Sequence, residues 1–143
     1  MTAFLLDVNV LVAMSWPEHQ FHEIALQWFA KNHRKGWATC PMVQAGFVRV
    51  VSNPAFSPHA VAPKEAIEAL NTSVQRATHQ FWADEISLPQ AFRILGVGSR
   101  ITGHQQVTDA YLVALAIHRG GVLATLDARI SQLGPPGAVH LIV

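Results

Sequence analysis

The hydrophobic positions of this chain fall into two kinds of stretch: short runs without alternation, and longer stretches with helical spacing. "FLL" at 4–6, "WATC" at 37–40, "VLAT" at 122–125 and "AVHLIV" at 138–143 are short and mainly apolar. Such runs predict strands covered on both faces. "HQFWADE" at 79–85 is a further strand candidate. Between His19 and His33 the apolar residues Phe21, Ile24, Ala25, Trp28 and Phe29 recur with a helical period, and Gly36 marks the turn beyond. Pro41 can open a second helix running to about Val51, with "SNPAFSP" as the loop behind it. Lys64 to Thr78 predicts a helix that turns Ile67, Leu70, Val74 and Ala77 inward, and Pro89 can start "PQAFRILGVG". Thr108 is the expected N-cap of a helix from Asp109 to Arg119, which Gly120 and Gly121 end. "ARISQL" at 128–133 reads as a short helix.

Strands thus alternate with helices. The alternation predicts an α/β fold with a short-stranded, mainly parallel central sheet between helical layers. No repeat, linker or low-complexity tract divides residues 1–143, so one domain is expected, long enough to bury a core.

Half of the residues are hydrophobic and 13% are charged, which argues against disorder. So few charges imply a surface partly covered by a partner. The formal net charge is +1, so no global basic field announces nucleic acid, and phosphate would have to be met locally or through metal ions. Cys40 is the single cysteine, which rules out an internal disulfide and a cysteine zinc cluster and fits a reducing compartment. The apolar opening "MTAFLLDVNVLVAM" has no basic leader region and is interrupted by Asp7 and Asn9. No run reaches the roughly 18 apolar residues of a membrane span. A cytoplasmic protein without a membrane partner is expected.

The carboxylates carry the candidate chemistry. Asp7 ends the first predicted strand, with "VNVLVA" apolar beyond it; Asp109 opens a helix; Asp127 lies just past the strand that ends at Thr125. In open α/β sheets, sites form at the carboxyl ends of strands. Two carboxylates about 5 Å apart at an effective dielectric near 20 repel by roughly 3 kcal/mol. Protons or a divalent cation must neutralise such a cluster. Oxygen donors without a cysteine or histidine set suit Mg²⁺ or Mn²⁺, and the fitting chemistry is metal-assisted phosphodiester hydrolysis. A plainer reading stands beside this one: Asp109 and Asp127 are each ordinary helix-start residues. Asp7, flanked by apolar residues on both sides, is harder to explain structurally.

Three stretches, "FLLDVNVLVA", "PMVQAGFVRVVSNP" and "GHQQVTDAYLVALAIHRGGVLATLDARI", together resemble the PIN-domain ribonucleases, and more narrowly the VapC toxins of bacterial toxin–antitoxin pairs. The resemblance implies a three-layer αβα fold and a Mg²⁺- or Mn²⁺-dependent endoribonuclease leaving 5′-phosphate and 3′-hydroxyl ends. It implies metal-binding acids at Asp7, Asp109 and Asp127, a hydroxyl that orders the site at Thr125, and a residue orienting the first acid at Asn9. It further implies a VapB-type antitoxin that carries any contact to DNA, and a homodimer. Where many relatives carry glutamate, this chain has Gln44, a site residue of reduced charge whose carbonyl can still accept a contact. The alternative is therefore a catalytically attenuated PIN-like binding module.

Other candidates are weaker. His19 and His22 share a spacing suited to one helix face, but no third ligand completes a metal set, so a solvated helix start is expected. His104 could reach RNA; Arg49 and Arg100 could touch phosphate, although single arginines usually serve the surface. "GVG" at 96–98 lacks the setting of a dinucleotide loop and reads as a helix end. An aspartyl-nucleophile phosphatase would want a second aspartate at Asn9 and a lysine near the later acids, and the sequence has neither.

Overall fold

"FLL" is a strand, as its unbroken apolar run predicts: β1 spans Phe4–Leu6, and all three residues are buried. In the computed structural model, which describes residues 2–96 and 101–143, Asp7 then turns the chain directly into a helix, α1 (Val8–Ser15). Helix α2 (His22–Asn32) returns the chain to β2 (Trp37–Thr39), and α3 (Pro41–Val51) and α4 (Pro63–Val74) lead to β3 (His79–Phe81). Then come α5 (Leu88–Leu95), a 3-10 turn at His104–Gln106, and α6 (Val107–His118). The chain closes with β4 (Val122–Thr125), a 3-10 helix (Ala128–Gln132) and β5 (Val139–Leu141).

The five strands are all parallel, in the order β3-β2-β1-β4-β5. Helices α1 to α4 serve the crossovers that step from β1 to β2 to β3, and neighbours among them pack together; α5 and α6 serve the return from β3 to β4 and pack on each other. With right-handed crossovers these two groups cover opposite faces of the sheet, giving three layers. The direction of winding reverses between β1 and β4. At such a switch point, loops part and leave a crevice above the carboxyl ends of the strands.

The core gathers on β1, β4 and α6. Ala110 through Ala116 are all buried, which explains why that helix is apolar around its whole circumference. Gly120, at φ 70°, ends α6 in the left-handed region that glycine takes without strain. Gly46 lets α3 approach the start of α1, since a Cβ there would meet Val8 Cγ2 at 2.6 Å.

Several expectations are corrected. Helix α1 was not distinguished in "VNVLVA", because a short apolar run looks alike as strand or buried helix. Helix α6 begins before Thr108: its N-cap is Gln106, which makes no side-chain cap bond, and the preceding 3-10 turn supplies the entry. In α4 the face turned inward is that of the buried Ala66 and half-buried Leu70, whereas Ile67 is 54% exposed and Ala77 lies beyond the helix end. In α2 the inward residues are Ala25 and Phe29, with Ile24 exposed. Pro89 is the second residue of α5 rather than the first, and Ser87 caps that helix by accepting from the Gln90 N–H at 3.1 Å. Gly96 ends α5 as expected; the rest of "GVG" and Arg100 lie outside the described residues.

Candidate active site at the switch point

The crevice between β1 and β4 receives its carboxylates from three elements. Asp7 leaves β1 with extended backbone and caps α1: its Oδ1 accepts from the Val8 N–H at 2.8 Å. Its Oδ2 accepts from the Thr125 hydroxyl at 2.8 Å and from the Asn9 amide at 3.3 Å. Thr125, the last residue of β4, also accepts from Asn9 Nδ2 at 3.2 Å and from the Asp127 N–H at 3.1 Å. Asn9 in turn accepts the Leu126 N–H at 3.1 Å. One hydroxyl and one amide thus tie the end of β1 to the loop after β4, through bonds of Asn9 and Thr125 to the Asp7 carboxylate.

Asp109 lies in the first turn of α6 and Asp127 caps the 3-10 helix after β4. A cavity of about 340 Å³ is lined by Asp7, Asp109 and Asp127 together, with Asn9, His19 and Phe56 on its wall. A second, of about 600 Å³, runs from Asp109 and Asp127 past His104 and Arg129. A third, of about 380 Å³, carries Asp7 and Asp109 toward Arg49 and Thr108. The acids therefore sit at the meeting of three openings, the outer two each bearing one arginine.

Their proton affinities are displaced in different directions. Burial pushes the Asp7 carboxyl above its usual range; the Thr125 and Val8 hydrogen bonds pull it back, and the Asp127 charge raises it further. Asp109 is pushed up to about 6, first by burial and then by the charges of Asp7 and Asp127, with Arg129 opposing. Asp127 is held below the carboxylate range because the Arg129 side chain donates to it. Among the described residues two of the three acids, Asp7 and Asp109, thus have no cationic partner in an ion pair, and a hard cation fits that donor set. As the side chains stand, no three His, Cys, Asp or Glu groups among the described residues are close enough to hold one ion.

Gln44 departs from expectation. Its amide donates to Thr39 Oγ1 at 3.0 Å, at the end of β2, and it lines none of the three cavities. The histidine pair is structural in part: His22 opens α2 with its ring 2.7 Å from the Ala13 carbonyl, while His19 accepts the Phe21 N–H and faces the acid cavity. Phe56, braced edge-on by Trp16 at 5.3 Å, and Arg129 are wall residues that the sequence reading did not single out. The only local signal for Arg129 was its place two residues after Asp127.

A parallel sheet of this order, with acids from β1, α6 and the β4 loop at its switch point, defines a class: it is the PIN domain, recognised here over residues 4–134, and the chain belongs to that family. Within the family its relatives are VapC proteins. It is 43% identical to Ribonuclease VapC38 of Mycobacterium tuberculosis, over 96% of each chain. It is 39% identical to Ribonuclease VapC39 of the same species, over 99% of this chain and 100% of that one. Among solved structures, the fold matches the sarcin–ricin-loop-cleaving toxin VapC20 of M. tuberculosis with a TM-score of 0.65, at 14% identity, over 90% of this chain and 92% of that one. It also matches VapBC2 of Rickettsia felis, solved on a DNA fragment from its promoter, with a TM-score of 0.60, at 16% identity, over 98% of both chains.

Proposed function

We propose that this protein is a divalent-cation-dependent endoribonuclease, the toxin of a toxin–antitoxin pair. The observation that carries this reading is the convergence of Asp7, Asp109 and Asp127 on one cavity at the switch point. The ribonuclease names of the full-length VapC relatives support it. Asp7 and Asp109 would hold Mg²⁺ or Mn²⁺, with Asp127 as the third donor. When bound, the ion supplies Lewis acidity, making water a nucleophile near neutral pH and offsetting charge on the phosphate.

This chain's own residues do the positioning. Thr125 and Asn9 fix the Asp7 carboxylate, so its orientation costs little reorganisation when substrate binds. Arg49 and His104 line different arms of the crevice and would meet phosphates of a bound RNA there. The net charge of +1 makes such local contacts the main electrostatic hold on RNA.

Gln44 plays no part in the acid cavity in this reading, so its lack of charge leaves the nuclease chemistry intact. The antitoxin would cover exposed apolar residues such as Ile67, Leu88 and Phe92, and carry any contact to promoter DNA. A homodimer would cover more of that surface. Among the described residues no helix is long and apolar enough to cross a membrane, in keeping with a cytoplasmic site of action.

Incubating the purified chain with single-stranded and structured RNAs tests the reading. Cleavage is expected with Mg²⁺ or Mn²⁺, and none after chelation or in Asp109→Asn. Cleavage that persists through both would refute it.

A further inference from the structure

Asp127 meets a counter-charge from its own chain. Arg129 Nε donates to Oδ1 at 3.1 Å and Nη2 donates to Oδ2 at 2.9 Å, a fork that takes both carboxylate oxygens. The Arg129 backbone N–H adds a bond to Oδ1 at 2.9 Å. Asp7, by contrast, is bonded only by neutral donors, and no cation is paired with Asp7 or Asp109 among the described residues.

A second observation concerns the acids as a group. Three carboxylates line one cavity, yet among the described residues no three acidic, histidine or cysteine side chains stand within reach of a single ion. Asp127 lines both this cavity and the 600 Å³ arm of the crevice, and Arg129, which holds both of its oxygens, lines the wall of that arm.

We propose that Arg129 is a built-in competitor for the cation: it occupies Asp127 until a divalent ion displaces it, so that the third carboxylate joins the metal site only by exchanging one positive partner for another. The inference rests on the nuclease reading above and makes Arg129 a positioning residue. The exchange is feasible because the arginine side chain is 88% exposed. An ion pair so open to water is weak, and its guanidinium is readily rehydrated on release. A divalent ion brings twice the charge to the same oxygens.

Calorimetric titration of the metal-free full chain with Mn²⁺, at fixed pH and ionic strength, tests this. Arg129→Ala removes the fork but keeps the backbone cap on Asp127, so the fold is preserved. It should bind Mn²⁺ about fivefold more tightly than wild type, the scale of an exposed ion pair, and Arg129→Lys should fall between. In an Asp127→Asn background, Arg129→Ala should change nothing. Equal or weaker affinity in Arg129→Ala, or the same gain in the Asp127→Asn background, would overturn the proposal and leave the nuclease reading standing. If neither wild type nor Arg129→Ala bound Mn²⁺, both would fall; binding by Arg129→Ala alone would be the competition in its strongest form.

Discussion

Two wholly buried threonines close the strands on either side of β1, Thr39 level with Leu6 and Thr125 one residue further along, level with Asp7, and they face different chemistry. Thr39 ends β2 and meets neutral groups, the His79 ring at 2.8 Å and the Gln44 amide at 3.0 Å. Thr125 ends β4 and donates to the Asp7 carboxylate. The difference follows from register and winding together: one residue of offset turns the two hydroxyls to opposite faces of the sheet. From β1 to β2 the chain keeps stepping the same way; between β1 and β4 it reverses, and acids can collect at a solvent-reachable gap. Which partners a strand-end hydroxyl meets thus depends on its register as well as on its side of the switch point.

The largest expected effects break this comparison at the charged side. Asp7→Asn keeps the cap on Val8 but removes the charge, and RNA cleavage should fall by at least about a hundredfold. Urea unfolding should show stability unchanged or improved, because a buried carboxylate is costly. Thr125→Val should cost about 1–3 kcal/mol of stability, since the Asn9 amide and the Asp127 N–H both lose their acceptor. It should also lower cleavage about tenfold, with Thr125→Ser restoring most of both. Thr39→Val is the control: a similar penalty in urea, with cleavage kept within about threefold.

Asp109 makes stability depend on pH. Its folded pKa, about 6, lies above the ordinary 3.8, so between those values the folded state binds more protons than the unfolded one. Without divalent ions, stability should therefore rise as pH falls from 7 toward 4, and Asp109→Asn should flatten that slope in urea midpoints. The smallest effect is expected at Gln44. Because its amide serves Thr39, Gln44→Ala should change Mn²⁺ affinity by less than about twofold. A large loss would draw the β2 side into the site.

Much of this was legible in the sequence where a run was long or a residue out of place. "FLL" followed by Asp7, the apolar α6 and the Thr125–Asp127 spacing all pointed to the right rim of the right kind of sheet. The misses have physical causes. Helix α1 is a short apolar run with no period to read. Ile67 shows that one apolar residue on an amphipathic helix does not fix the inward face when a small alanine packs closer. Gln44 was expected at the site only from the family resemblance, but whether a side chain turns to the crevice or to Thr39 is decided by tertiary contacts. Arg129 looks like any surface arginine until the turn after β4 folds it back on Asp127.

The central claim is that the acids of β1 and α6 share one divalent ion. Crystals grown with Mn²⁺ and measured at a wavelength where manganese scatters anomalously test it directly. One strong anomalous peak is expected between the carboxylates of Asp7 and Asp109, within coordination distance of both. A peak seated elsewhere, or none at saturating Mn²⁺ in a preparation that still cleaves RNA, would contradict it.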